Sequence, residues 1–151
     1  MSSSTSQSTQ RRPVSIETVR LSQTAKGQLL KLKRITGIKN WNILCRWGLC
    51  IALADPSPPL VREIVTDSNV EMTWKTFAGA YGDIYLALLR MRCEQEGGDP
   101  DDPAAVAHTL TVHLHRGIGL LAGRTDLTGI TDLIALAISQ PLPSNAPGVI
   151  E

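Results

Sequence analysis

The chain has 151 residues, enough for one domain, and its apolar residues (42%) are almost all aliphatic, since aromatic residues make up only 4%. Aliphatic side chains suit helix-on-helix packing better than a sheet sandwich, so we expect a mainly α protein. No stretch approaches the ~20 uninterrupted apolar residues of a membrane span. The Ser/Thr/Gln-rich start also lacks the apolar core of a secretory signal, and we therefore expect a cytoplasmic protein.

The formal net charge of +1 conceals an uneven distribution along the chain. Residues 1–54 contain nine Lys and Arg and a single acid, Glu17, a net charge of +8. Residues 55–151 contain six basic and thirteen acidic residues, a net charge of −7. Clustered cations favour a polyanionic partner, because binding releases counterions from the phosphates. The alternative is that the two parts neutralise each other within one fold.

The first predicted elements are a disordered polar arm over residues 1–14 and a single domain over residues 15–139. Within the domain, residues 16–21 are β-branched and alternate at their end, which predicts a short strand. Ser22 is a suitable N-cap for a helix that runs to Thr36 and is terminated by Gly37. The polar side of this amphipathic helix carries Lys26, Lys31, Lys33 and Arg34.

A second helix over residues 41–54 is apolar nearly all round, which is typical of a core or of an oligomer interface. A strand, a basic amphipathic helix, a tight turn and an apolar helix follow each other in the order of a ribbon-helix-helix unit, whose paired strands read DNA grooves from a dimer. We therefore predict a compact, mainly α domain with a short N-terminal strand and a ribbon-helix-helix-like start.

The remaining elements are a brief strand at residues 70–74 and three helices, over residues 77–96, 103–122 and 126–139. Residues 140–151 contain three prolines and are expected to form a flexible tail. The first of the three helices has one apolar stripe. This stripe consists of Tyr81, Ile84, Leu88 and Met91.

The sequence contains no recognisable active site: it has no nucleophile elbow, phosphate loop or dinucleotide fingerprint. We expect all three thiols to be buried and reduced in apolar helical patterns. They are Cys45, Cys50 and Cys93. The three histidines are not spaced as metal ligands on one helical turn, so we expect neither a metal nor a cofactor. They are His108, His113 and His115.

Two further regions are candidate sites. His115 and Arg116 precede glycines at 117 and 119, which allow another backbone to approach, either at a packing or subunit interface or at a phosphate. We place Arg46, a polar residue in the apolar second helix, in the same class. Trp41 follows Lys39 and Asn40, where its indole either packs in the core or stacks on an exposed base.

Three segments resemble the DndE family, the E component of the bacterial Dnd DNA phosphorothioation system. They are LKLKRITGIKNWNILCRWGLCIALADPSPP, SNVEMTWKTFAGAYGDIYLALL and HLHRGIGLLAG. The combination of TG-x-x-N-W-N-x-L-C-R-W with a later L-H-R-G is specific, and the resemblance covers roughly residues 19 to 124.

The resemblance implies a helical homo-oligomer, expected here as a tetramer, that binds duplex DNA, intact or nicked, and acts beside the other Dnd proteins. These include a cysteine desulfurase and iron–sulfur components, whereas this chain has no cluster-binding cysteines of its own. The resemblance also implies that a lysine-rich surface holds the DNA, and the charge count indicates the same surface. The expected DNA-binding residues are Lys26, Lys31, Lys33, Arg34, Lys39 and Arg20.

We therefore expect a non-catalytic accessory subunit that binds double-stranded DNA. One alternative is an enzyme, a DNA-nicking endonuclease or a sulfur-transfer catalyst, that would use His113, His115 or Cys45 with an arginine. The other alternative is a repressor of the ribbon-helix-helix type, in which the strand containing Val19, Arg20 and Leu21 would read bases.

Overall fold

The computed structural model describes residues 13–138. Its elements are β1 (Thr18–Arg20), α1 (Gln23–Thr36), α2 (Trp41–Ala54), β2 (Glu71–Thr73), α3 (Trp74–Ala78), a 3-10 turn (Gly79–Tyr81), α4 (Gly82–Gln95), α5 (Pro103–Ala122) and α6 (Ile130–Ile138). This confirms a mainly α fold with a short strand near its N-terminus. The predicted tail lies outside the described residues, as does the predicted arm except for its last two residues, of which Val14 is buried. Within the described part, no helix is long and apolar enough to cross a membrane.

The first two helices begin and end at the predicted residues. The Ser22 hydroxyl caps α1 by accepting a hydrogen bond from the Ala25 N–H at 3.0 Å, and Gly37 ends the helix with a left-handed φ of 78°. Asn40 is the N-cap of α2, but its side chain makes no capping hydrogen bond. Pro56 follows the C-cap residue Asp55 and prevents the helix from continuing.

The short N-terminal strand pairs within its own chain. β1 and β2 are antiparallel, with Val19 opposite Met72 and Arg20 opposite Glu71. Val19 and Met72 are buried, whereas their strand neighbours face solvent, as expected for a strand with one covered face. The strand–helix–helix order is therefore present, and the ladder partner of β1 is β2.

Two helix boundaries differ from the prediction. The single helix expected over residues 77–96 is divided into α3 and α4, because Gly79 adopts a left-handed φ of 60°. A Cβ at Gly79 would lie 2.8 Å from Nη2 of Arg46, so the side chain of α2 occupies the space beside this turn. The last helix begins at Ile130 rather than at residue 126. Its start is preceded by a turn in which the Thr128 N–H and hydroxyl donate to the Asp132 carboxylate.

The long helix α5 passes through the core and packs against α2. Its buried residues include Val106, Leu110, Leu114, Ile118 and Leu121. Where the two helices cross, a Cβ on Gly117 would lie 1.7 Å from the carbonyl oxygen of Gly48. The two backbones are therefore in direct contact, and the glycine of the L-H-R-G segment is required by this intramolecular crossing.

The prediction that all three thiols are buried is wrong for one of them. Cys45 and Cys93 are buried, but Cys50 is exposed, with its Sγ 3.9 Å from the Tyr85 hydroxyl at the edge of α4. Because α2 is apolar nearly all round, periodicity alone does not identify which of its residues reaches the surface.

Candidate nucleic-acid interface

The six predicted DNA-binding residues lie on α1, on β1 and in the turn before α2, and each is exposed or half-buried. At 100° per residue, Arg34 lies opposite the buried stripe of α1, which includes Ala25, Leu29 and Leu32. We call the six residues the basic face. They are Arg20, Lys26, Lys31, Lys33, Arg34 and Lys39.

Three lysines of the basic face have neutral partners. The Lys26 ammonium donates to the Asn69 side-chain oxygen at 2.7 Å. The Lys31 ammonium donates to the carbonyl of Ala122 at the end of α5, at 2.8 Å. The Lys33 ammonium lies 3.6 Å from the centre of a Trp41 ring, which is a cation–π contact. These contacts orient the lysines but do not neutralise their charges.

The other three residues of the basic face are exposed. Within residues 13–138, Arg34 and Lys39 have neither a hydrogen-bond nor an ion-pair partner for their side chains. Arg20 pairs with Glu71 at 3.4 Å, and both side chains are more than half exposed. An exposed pair of this kind contributes little to stability, so Arg20 can exchange its partner at low cost.

The ion pairs distinguish between the two explanations for the uneven charge, which are a polyanionic partner and neutralisation between the two parts of the chain. The remaining Arg–carboxylate pairs of the described region all join residues beyond position 54 to each other. They are Arg90–Asp101, Arg92–Glu96, Arg116–Asp55 and Arg124–Asp126. Among the described residues, a single pair, Arg20–Glu71, joins the basic first part to the acidic second part. Neutralisation between the two parts therefore does not account for the basic face.

His115 and Arg116 both make contacts within the chain. The His115 Nδ1–H donates to the Thr111 carbonyl at 2.7 Å, and its Nε2 accepts from the Ser22 N–H at 3.0 Å. Burial lowers the pKa of His115, so the imidazole is neutral, as this pattern of hydrogen bonds requires. Arg116 donates to the Ser57 carbonyl and the Asp55 carboxylate and thereby fastens the segment that follows α2.

The Asp55 carboxylate has a pKa below its usual value, because the Ser57 hydroxyl and N–H donate to it and because Arg116 lies beside it. Arg46 similarly connects two elements: its Nε donates to the Phe77 carbonyl and its Nη2 to the Thr76 carbonyl at 3.4 Å. Arg46 and Arg116 thus each tie a helix to a neighbouring segment.

The residues considered for catalysis are enclosed. His113 is fully buried, and its Nε2 lies 2.9 Å from the Glu96 carboxylate. Burial lowers its pKa although Glu96 acts in the opposite sense. Burial also raises the pKa of the Cys45 thiol to about 12, which leaves no thiolate at neutral pH. The part of the chain that the structure covers contains no group of three His, Cys, Asp or Glu side chains that could hold a metal ion.

A groove of about 550 Å³ lies within the basic face. It is bordered by the N-terminus of α2, by β2 with the two residues before it, and by Lys26. Its walls carry three asparagines, of which Asn42 and Asn69 did not emerge from the sequence as site residues. Asn42 could have been found from its position next to Trp41 in the N-W-N string. Asn69 lines the groove only because β1 pairs with β2. A larger groove, of about 830 Å³, lies elsewhere, and the apolar residues of segment 58–65 form much of its wall.

The predicted apolar stripe of α4 is on the surface. Tyr81, Ile84, Leu88 and Met91 are 56%, 60%, 39% and 53% exposed. The helix instead buries Leu89 and Cys93 on its other side. Four large apolar side chains in one exposed row form a patch of a kind that is often a contact surface.

Comparison with known proteins places the chain in a family. The DndE family model, described as DNA sulphur modification protein DndE, matches residues 18–128. The fold is similar to the crystal structure of DndE from Escherichia coli, involved in DNA phosphorothioation modification, with 23% identity, a TM-score of 0.57, and coverage of 70% of this chain and 95% of that chain. It is also similar to a DndE mutant involved in DNA phosphorothioation, with 20% identity, a TM-score of 0.55, and coverage of 72% and 98%.

A search among curated proteins gave no match. The identities to the solved structures are low, and these two matches support the fold alone. The family model is the stronger finding, because it spans both strands and the helices α1 to α5. The chain is therefore a member of the DndE family of DNA sulphur modification proteins.

Proposed function

We propose that this protein is a DNA-binding accessory subunit of the DNA phosphorothioation machinery. It holds duplex DNA, intact or nicked, on its basic face, and other Dnd proteins supply the chemistry. Family membership supports a part in DNA sulphur modification. The observation that carries DNA binding is that, among the described residues, five of the six basic-face cations lack a carboxylate partner.

These cations suit phosphates for a physical reason. A protein charge that is already neutralised releases no counterions from DNA, whereas an unpaired Lys or Arg does. The N-terminus of α2 adds to the effect, since the Asn40 side chain leaves its first N–H groups uncapped and no acidic residue stands in its first turn. The basic face therefore combines cations that lack carboxylate partners with the partial positive charge of a helix N-terminus.

The test is the affinity for duplex DNA as a function of salt concentration. The best variant is Arg34→Ala/Lys39→Ala, because neither side chain has a partner in the described fold. Two lost phosphate contacts should flatten the log–log slope by about 1.8, at roughly 0.9 per contact. The control, Arg62→Ala, removes an exposed cation outside the basic face and outside α4, and it should leave the slope nearly unchanged. An unchanged slope in the first variant would refute binding through this face.

We further infer that the protein self-associates through α4. A two-fold axis that crosses the helix between Ile84 and Leu88 would place Tyr81 against Met91 of a second copy and Ile84 against Leu88. A second copy therefore fits this surface through its apolar row.

Light scattering tests the self-association. Ile84→Glu should reduce the molar mass below that of the wild type, because it places a charge in the centre of the proposed contact. Ile138→Glu is the control, since Ile138 is 77% exposed and lies at the end of α6. A monomeric wild type, or an Ile84→Glu variant of unchanged mass, would contradict this contact.

The two alternative functions have less support. A nickase would have to use buried histidines or a thiol held protonated, and strand cleavage scored in the same DNA reactions would reveal such an activity. A repressor of the ribbon-helix-helix type would read bases with β1, but β1 pairs with β2 of its own chain. A sequence-specific footprint that disappears on Arg20→Ala would restore that function.

A further inference from the structure

We propose that the groove of about 550 Å³ inside the basic face binds a single nucleobase, supplied by an unpaired nucleotide of the bound DNA. The inference rests on the proposed function, because the basic face must first hold the DNA that presents the base. It goes further by assigning to one part of this face a contact with a base rather than with phosphates.

The groove has the size and position that this role requires. Its volume falls in the range of roughly 300–1,000 Å³ typical of small-molecule sites. Lys26 and Lys39 line it, and Lys33 lies against Trp41 at its edge. Cations at the rim would hold the phosphates on either side of an unpaired nucleotide, so that its base reaches the groove.

Three asparagines supply hydrogen-bonding groups of the kind a base edge needs. Asn69 accepts from Lys26 through its oxygen, which leaves its NH2 group as a donor. Asn42 donates to the Thr76 carbonyl, which leaves its oxygen as an acceptor. Asn40 is exposed and uses its side chain for no cap. Amides that offer both donors and acceptors match the polar edges of bases.

The apolar part of the groove suits the faces of a base. Trp41 lines it, and the half-buried indole is fixed by core packing and by Lys33. Val70 and Met72 also line it and are almost fully buried. A base would stack on this indole by displacing the Lys33 ammonium from the ring, and such stacking is tolerant of base identity because every base has a π face.

Glu71 distinguishes a base from a phosphate as the occupant. Glu71 lines the groove, and its carboxylate lies 3.4 Å from the Arg20 guanidinium, so the groove offers a phosphate a carboxylate neighbour as well as cations. The same carboxylate can accept a hydrogen bond from the amino group of a base. The charge pattern is therefore cationic at the rim and mixed within, which favours a nucleobase inside and phosphates outside.

The test uses two duplexes that differ in one nucleotide. One carries 2-aminopurine in a single-nucleotide bulge, and the other carries the same 2-aminopurine fully paired. The wild type should bind the bulged duplex about tenfold more tightly, and binding should quench the 2-aminopurine fluorescence. Asn42→Ala removes an amide that lines the groove and hydrogen-bonds to Thr76 rather than to a residue of the basic face. It should lower the ratio of affinities severalfold and leave the affinity for the paired duplex nearly unchanged.

Arg34→Ala is the matched control, because Arg34 belongs to the basic face but does not line the groove. It should weaken both duplexes equally and preserve the tenfold ratio. A Trp41→Phe variant keeps a stacking ring and should retain part of the quenching, whereas Trp41→Leu should lose it. Equal affinities of the wild type for the two duplexes, or absent quenching, would overturn the base site.

The same experiment separates failure of the proposed function from failure of the base site. If the wild type binds neither duplex, the proposed function itself fails, whereas binding without preference removes only the base site. Addition of free 2′-deoxyadenosine monophosphate identifies the source of the base. If the preference for the bulged duplex persists in the presence of this nucleotide, the base is captured from DNA. If micromolar nucleotide displaces the bulged duplex, the groove binds a free nucleotide instead.

Discussion

Replacing Gly117 by alanine should destabilise the fold strongly, because α2 and α5 touch through their backbones at this residue. The new Cβ would lie 1.7 Å from the Gly48 carbonyl oxygen, whereas real Cβ atoms essentially never approach within 3.0 Å of another heavy atom. The helices would have to separate by roughly 1.3 Å, and neither atom belongs to a side chain that could rotate away.

Overpacking of a core generally costs about 1–3 kcal/mol, and a clash between two backbones belongs at the upper end of that range. For a domain of this size, a loss of about 3 kcal/mol corresponds to a fall in Tm of roughly 10 °C. Gly27→Ala is the matched control, since a Cβ at Gly27 meets nothing within 4 Å. Within helix α1 the same substitution should stabilise the protein by about 0.5–1 kcal/mol.

Urea unfolding followed by circular dichroism measures both variants, with the free energy of unfolding taken from the midpoint at unchanged slope. The expected result is a lower midpoint for Gly117→Ala and a slightly higher midpoint for Gly27→Ala. A Gly117→Ala protein with the wild-type midpoint would refute the described crossing of α2 and α5.

Two further predictions concern buried groups. The folded-state pKa of His113 lies below its usual 6.5 although Glu96 faces it, so the unfolded chain takes up a proton first as the pH falls. The free energy of unfolding should therefore decrease below about pH 6.5, and His113→Gln should flatten this dependence in urea titrations at several pH values. Cys50 is exposed while Cys45 and Cys93 are buried, so Ellman's reagent should titrate one fast thiol per native chain; three fast thiols would contradict the burial.

The helices with clear terminal signals could be predicted from the sequence. Ser22 and Gly37 bound α1, and Asp102 with Pro103 begins α5, because caps and prolines act through neighbouring backbone groups. The break at Gly79 could not be predicted in this way. Its left-handed conformation accompanies the contact with Arg46, and a contact between α2 and the turn after α3 is not encoded in local spacing.

The candidate site was predictable to a similar extent. The cations of α1 follow from charge and helical periodicity, but Asn69 and Glu71 reach the groove only because β1 pairs with β2 across two intervening helices. Periodicity also placed Ile84 and Leu88 in one row without indicating that this row is exposed. An α4 with apolar residues on two sides needs the packed structure to show which side is covered.

The strand pair also has a consequence for the order in which the protein can be made. Val19 and Met72 face each other, and α1 and α2 lie in the chain between them. During synthesis, both helices leave the ribosome before β2 does. The anchor of Lys26 on Asn69 therefore cannot form until residue 69 has emerged, and the groove cannot form until residue 76 has emerged. The basic segment is thus exposed as an incomplete surface for that interval, and the complete nucleic-acid interface forms only when β2 closes the loop.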